Sequence, residues 1–113
     1  MTSNGWTLLF HRCLVDQLSR LKAAHDRAIR NNPRGASANA NVKLYVALAH
    51  LMLRVIPEDP SRDEFRQGST LGPDFRHWRR AKVGRRFRIF FRYDSGSKMI
   101  VYAWVNDENS PRT

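Results

Sequence analysis

Cysteine is almost absent from this chain of 113 residues: Cys13 is the only one. A disulfide framework and a cysteine-rich zinc site are thereby excluded, and a reducing cytoplasm is the expected compartment. No run approaches the ~18 to 20 uninterrupted apolar residues of a membrane-spanning helix. Residues 1–10 show no basic stretch leading into an apolar one, so no secretory signal is read there. Acid is scarce too. The chain carries 10 Asp plus Glu against 20 Lys plus Arg, a formal net charge of +10, and its pI is near 11.0. That balance points to a polyanionic partner, with nucleic acid ahead of an anionic membrane surface. What is present suffices for one domain over residues 1–113: 42% of the chain is apolar, too much for disorder and enough for one modest core.

The positive charge is concentrated. Residues 1–75 hold 10 basic and 7 acidic side chains, whereas residues 76–93 hold 8 basic ones and no acid. Seven of those eight are Arg (Arg76, Arg79, Arg80, Arg85, Arg86, Arg88, Arg92) and one is Lys82. Arg suits planar, bidentate contacts with phosphate. A solvated cationic face on an ordinary fold is the plain alternative, but solvation alone requires no such concentration.

Periodicity predicts the elements. Residues 6–10 read as a first strand opened by an Asn4-Gly5 turn. Residues 11–29 place Leu14, Leu18, Leu21 and Ala28 on one helical face, and the stretch from Asn31 to Gly35 ends that helix. A second helix is expected over residues 38–55, with Val42, Tyr45, Val46, Ala49, Met52, Leu53 and Ile56 apolar. Residues 57–75 read as a long ordered loop. Residues 78–83, 86–93 and 98–105 are rich in aromatic and β-branched residues and separated by turn signals, an antiparallel meander. The expected fold class is α+β, in the order β-α-α-β-β-β. Two helices would cover one face of a small antiparallel sheet.

The third strand in that order, residues 86–93, alternates without a break. Phe87, Ile89, Phe91 and Tyr93 point one way, and Arg86, Arg88, Phe90 and Arg92 the other. The first set must face the helices, which leaves a cationic set on the open side. Trp78, Arg80 and Lys82 share one face of the neighbouring strand. If that face joins Arg88 and Arg92, cations sit opposite cations, which weakens a sheet unless an anion is meant to lie there. Phe90, Trp78 and either Tyr102 or Trp104 flank the cations as possible stacking surfaces for bases. Core packing is the alternative for each ring, and the better one for Phe87, Phe91 and Trp104.

Most familiar catalytic signatures are missing. The histidines His11, His25, His50 and His77 show no metal-binding spacing, and no P-loop, dinucleotide fingerprint or nucleophile elbow occurs. Asp107 and Glu108 are two adjacent carboxylates without a third partner. No metal and no cofactor are therefore expected. Cations and hydroxyls can still cut RNA, because the 2′-hydroxyl is a built-in nucleophile. It needs only orientation, a proton acceptor, and charge stabilisation at phosphorus. Like charge from neighbouring Arg favours the proton-accepting form of a Lys. These features alone do not separate such an enzyme from a plain RNA-binding sheet.

Several stretches together carry a resemblance. They are Asn4-Gly5-Trp6, Phe65-Arg66-x-Gly68-x-x-Leu71-Gly72, Trp78-x-Arg80-x-Lys82-x-Gly84 and the strand from Arg86 to Tyr93. The last runs from Ala103-Trp104-Val105-Asn106-Asp107-Glu108-Asn109 to Arg112-Thr113. From Asn4 to Thr113 the chain resembles the YhaV family of bacterial type II toxins, within the RelE superfamily. The resemblance implies a small RNase-like α+β fold and an endonuclease of messenger RNA that stops translation. It also implies an antitoxin of the PrlF type, with an AbrB-like fold. Residue by residue, it implies that Arg80 and Lys82 are the basic pair entering the site, Arg88 a phosphate-binding Arg and Arg112 a second one. The turn at Gly84, Arg85 and Arg86 is one residue shorter than the family's. The resemblance implies that the family runs on past the position of Thr113 into a segment with a Tyr and a further helix, and this segment is expected to be missing here.

The expectation is therefore a toxin that cleaves messenger RNA without a metal, on the ribosome. It would leave a 2′,3′-cyclic phosphate and a 5′-hydroxyl, and its complex with antitoxin would bind operator DNA. Arg80, Lys82, Arg88 and Arg112 are the catalytic candidates. Arg76, Trp78, Arg85, Arg86, Phe90 and Arg92 are the RNA-binding ones. The alternatives are a non-catalytic RNA- or DNA-binding module and an inactive relic that still binds its antitoxin.

Overall fold

Asn4 and Gly5 both take positive φ, 50° and 83°, the backbone of a tight hairpin turn whose twist matches the strands it joins. In the computed structural model, which describes residues 1–66 and 78–107, that turn links β1 (Thr2–Ser3) to β2 (Trp6–Phe10). The His11 ring then caps α1 (Arg12–Asn31), its Nδ1 accepting the Cys13 amide at 3.1 Å. Leu14 is fully buried on the predicted stripe.

A short 3₁₀ turn (Ala36–Ala38) leads to Asn39, whose side-chain oxygen accepts the amides of Asn41 (2.8 Å) and Val42 (3.3 Å). Those two bonds satisfy donors that a helix start leaves open. The helix they begin, α2, runs over Ala40–Glu58. It is long and apolar enough to cross a membrane by length and mean hydropathy (1.2), but here it lies on the sheet with Leu48, Met52 and Ile56 almost wholly buried.

Two sequence expectations for α2 are corrected. Leu51–Val55 is a π-helical turn, and the helix continues through Pro57 rather than ending before it. Pro57 has no N–H to give the preceding turn. The carbonyls of that turn are taken up from outside: the Tyr102 hydroxyl donates to Met52 O at 2.7 Å and Ser3 Oγ to Leu53 O at 2.6 Å. Asn4 Nδ2 adds a bond to Pro57 O at 3.0 Å. Leu48, Met52 and Ile56 are spaced by four along one face and are buried, and Val46 is 56% exposed rather than core.

The predicted meander forms as β3 (Arg79–Val83), β4 (Phe87–Asp94) and β5 (Met99–Asp107), all antiparallel. The sheet order is β1-β2-β5-β4-β3. After the two helices the chain returns so that β2 pairs with β5 in parallel. The sheet is accordingly mixed, with both helices on one face. Between them lies the core of Trp6, Leu8, Leu14, Leu48, Met52, Ile56, Ile89, Phe91, Ile100 and Tyr102.

Candidate active site

The two faces of β4 separate as its alternation predicts. Ile89 and Phe91 are fully buried toward the helices, while Arg88, Phe90 and Arg92 belong to the opposite face. The pairing arranges that open face into rungs. Lys82 lies across from Arg88, and Arg88 across from Asn106. One rung along, Arg80 lies across from Phe90, and Phe90 across from Trp104. Arg92 pairs with Val101 on the rung beyond. Adjacent strands lie roughly 4.8 Å apart, so Arg80, Lys82 and Arg88 fall within the span of one phosphodiester group and its sugar.

A bulge decides which aromatics reach this face. Phe90 pairs with Trp104 and Phe91 with Tyr102, leaving Ala103 as an extra residue. In an unbroken strand Tyr102 and Trp104 would share a face; the extra residue sends them to opposite ones. Tyr102 is fully buried beneath α2, and that burial pushes its phenol well above the ordinary range. Trp104 emerges on the cationic side, stacked on Phe90 at 4.7 Å and 18°.

Phe90 is consequently not an open surface. It is 1% exposed, the floor beneath Trp104. The accessible rings are Trp104 and Trp78, 5.7 Å apart, with the Arg92 guanidinium 5.5 Å over the Trp78 ring. The alternation in β4 offers Phe90 to RNA, but it carries no information about a partner ring on β5.

The basic cluster divides in the same way. Arg80, Lys82, Arg88 and Arg92 share the open face, and Arg85 is exposed in the turn at Gly84. Arg79 turns the other way, its guanidinium 5.5 Å over Tyr93. Arg86 is held by an acid on β5 instead. It makes a two-pronged bond to Asp107, Nε to Oδ1 at 2.8 Å and Nη2 to Oδ2 at 2.7 Å. The carboxylate's hydrogen bonds hold the Arg86 guanidinium above its ordinary range. Arg76 and Arg112 lie outside the described residues.

Beside Trp104 opens a cleft of about 270 Å³ lined by His11, Cys13, Trp78, Ala103 and Trp104. His11 and Cys13 come from the β2–α1 junction, and no periodicity marks them. On the helix side a larger groove of about 500 Å³ runs along Leu18, Leu21, Leu44, Phe87 and Val105. Among the described residues no three His, Cys, Asp or Glu side chains converge on a common point.

The family model described as a toxin with endonuclease activity, of a toxin–antitoxin system, matches residues 8–113. The chain belongs to the YhaV family of toxins. It is 35% identical over 112 residues to the ribonuclease toxin YhaV of Escherichia coli strain K12, covering 97% of this chain and 73% of that protein. The toxin YhaV of Escherichia coli O157:H7 is similar to the same extent. Among solved structures, a chain of the RelBE2 toxin–antitoxin complex of Mycobacterium tuberculosis superposes with a TM-score of 0.54 at 17% identity. The match covers 91% of this chain and 98% of that one. That likeness carries the fold: two helices on a small sheet of the RelE kind. As a YhaV-family toxin, this protein works opposite an antitoxin, and its cationic sheet face is the candidate site of its endonuclease activity.

Proposed function

We propose that this toxin is an endoribonuclease that cuts messenger RNA on the ribosome and stops translation and growth. The observation that carries the reading is the rung pair on the open sheet face, Lys82 opposite Arg88 with Arg80 alongside. It brings one proton acceptor and two planar cations to one phosphate.

In the proposed reaction the 2′-oxygen attacks the adjacent phosphorus while Lys82 takes the 2′-hydroxyl proton. Arg88 and Arg80 hold the non-bridging oxygens as charge builds on them. The bond from phosphorus to the 5′-oxygen breaks, and that oxygen takes a proton from water, leaving a 2′,3′-cyclic phosphate and a 5′-hydroxyl. Arg112, beyond the described residues, is proposed as a second phosphate contact, and Arg76, Arg85 and Arg92 as grips along the flanking backbone.

The antitoxin is proposed to be of the PrlF type. It would lay carboxylates over Arg80, Arg88 and Arg92 so that the cations are unavailable to phosphate, and the complex would bind operator DNA. The relative called a ribonuclease supports RNA as the substrate. Lys82→Arg tests the chemistry, since it keeps a long hydrogen-bond donor at the position and removes the proton acceptor. RNA binding should persist while cleavage and the cyclic-phosphate ends disappear. Undiminished cleavage by Lys82→Arg would overturn the role of Lys82, and absence of cleavage by the unaltered toxin would leave a binding module.

A further inference from the structure

The cleft beside Trp104 belongs to the same face as the cations but differs in chemistry. Its walls are the indoles of Trp78 and Trp104, the Ala103 of the bulge, Cys13, and the His11 ring. Phe90 backs one face of Trp104 from below, fixing the indole as a rigid plate. His11 Nδ1 is already committed to the Cys13 amide, so a neutral ring carries its proton on Nε2. That N–H is the one hydrogen-bond group the ring has left. Trp104 is on the rung of Arg80, two strands away, and Trp78 lies under the Arg92 guanidinium.

We propose that this cleft holds a purine base of the bound RNA, next to the phosphate gripped by Arg80, Lys82 and Arg88. This rests on the ribonuclease reading and deepens it. An apolar slot with the Trp104 plate on one side and the Trp78 indole 5.7 Å from it favours a flat aromatic ring, and the surrounding cations favour one attached to a phosphate chain. The larger purine covers more of the indole plates than a pyrimidine does. His11 Nε2–H donates to an acceptor on the base edge. The pocket therefore selects by stacking area first and by one hydrogen bond second, and it anchors the strand so that its neighbouring 2′-hydroxyl meets Lys82.

Cys13, exposed and the only cysteine, is a built-in reporter in the wall of this cleft. The rate at which N-ethylmaleimide labels it is read by intact mass on the full chain. The probes are an oligoadenylate with 2′-O-methyl groups, which cannot be cut, the matching oligouridylate, an abasic oligonucleotide of the same length, and inorganic polyphosphate. Each probe's binding is measured separately by displacement of a fluorescent oligonucleotide. Saturating oligoadenylate should slow labelling about tenfold, the protection expected of a well-stacked base. Oligouridylate should need a several-fold higher concentration for the same effect. The abasic strand and polyphosphate should bind yet leave the rate unchanged. Oligoadenylate that binds without protecting Cys13, or polyphosphate that protects equally, would overturn the base pocket while leaving the cationic site standing. If no oligonucleotide binds at all, the ribonuclease reading falls, and the pocket with it.

Discussion

Lys82 stands directly across from Arg88 in the β3–β4 ladder. Like charges placed opposite each other weaken a sheet, and folding alone favours an acid at one of the two positions. In the reaction proposed above, a phosphate lying on this rung adds the negative charge that such a pair lacks.

This relationship predicts a trade between stability and function. Lys82→Glu should raise stability by roughly 0.2 to 1 kcal/mol, the range of a cross-strand pair, seen as a higher urea midpoint. The same variant should lose RNA cleavage and growth arrest. A destabilised Lys82→Glu protein would show that the charges across this rung do not set the stability of the ladder.

Arg86 and Asp107 predict a change in salt dependence. With Arg86 tied to Asp107, Arg80, Lys82, Arg85, Arg88 and Arg92 are the cations among the described residues that are assigned to RNA, so log affinity should fall against log salt with a slope of about −3.5 from these residues, and more steeply where Arg76 and Arg112 add to them. Asp107→Ala releases Arg86 toward the strand and should steepen that slope by about 0.7 while tightening binding at low salt. An unchanged slope would mean that Arg86 does not reach the RNA even when freed.

Tyr102 predicts the cost of the π-helical turn. Its hydroxyl serves a buried carbonyl, Met52 O at 2.7 Å, which has no Pro57 N–H to fall back on. Tyr102→Phe should cost about 1 to 3 kcal/mol in urea unfolding, with cleavage by the folded protein retained. A cost near zero would mean that the carbonyl finds water.

The strand faces were legible because alternation over eight residues of β4 leaves a single assignment of inside and outside. The long amphipathic α1 and the Asn4-Gly5 turn were legible for the same reason: each is written in neighbouring residues. The features that escaped depend on partners distant in the chain. Ala103 becomes a bulge only through its pairing with β4, so the sequence did not place Tyr102 and Trp104 on opposite faces. Arg86 looks like any other cation of the cluster until Asp107 meets it across the sheet. Pro57 signals a break locally, yet Tyr102 and Ser3 satisfy the turn before it from other elements, and the helix continues. The parallel pairing of β2 with β5 follows from how two helices return the chain. His11 and Cys13 carried no pattern at all.

The most direct test of the cationic sheet face as the catalytic site is cleavage of messenger RNA bound to ribosomes by purified Arg88→Ala protein, with its thermal unfolding measured alongside. Removing one charge-stabilising contact should lower the cleavage rate about 10²- to 10³-fold, with the unfolding transition cooperative and close to that of the unaltered toxin. A folded Arg88→Ala protein that cleaves at the full rate would contradict the account.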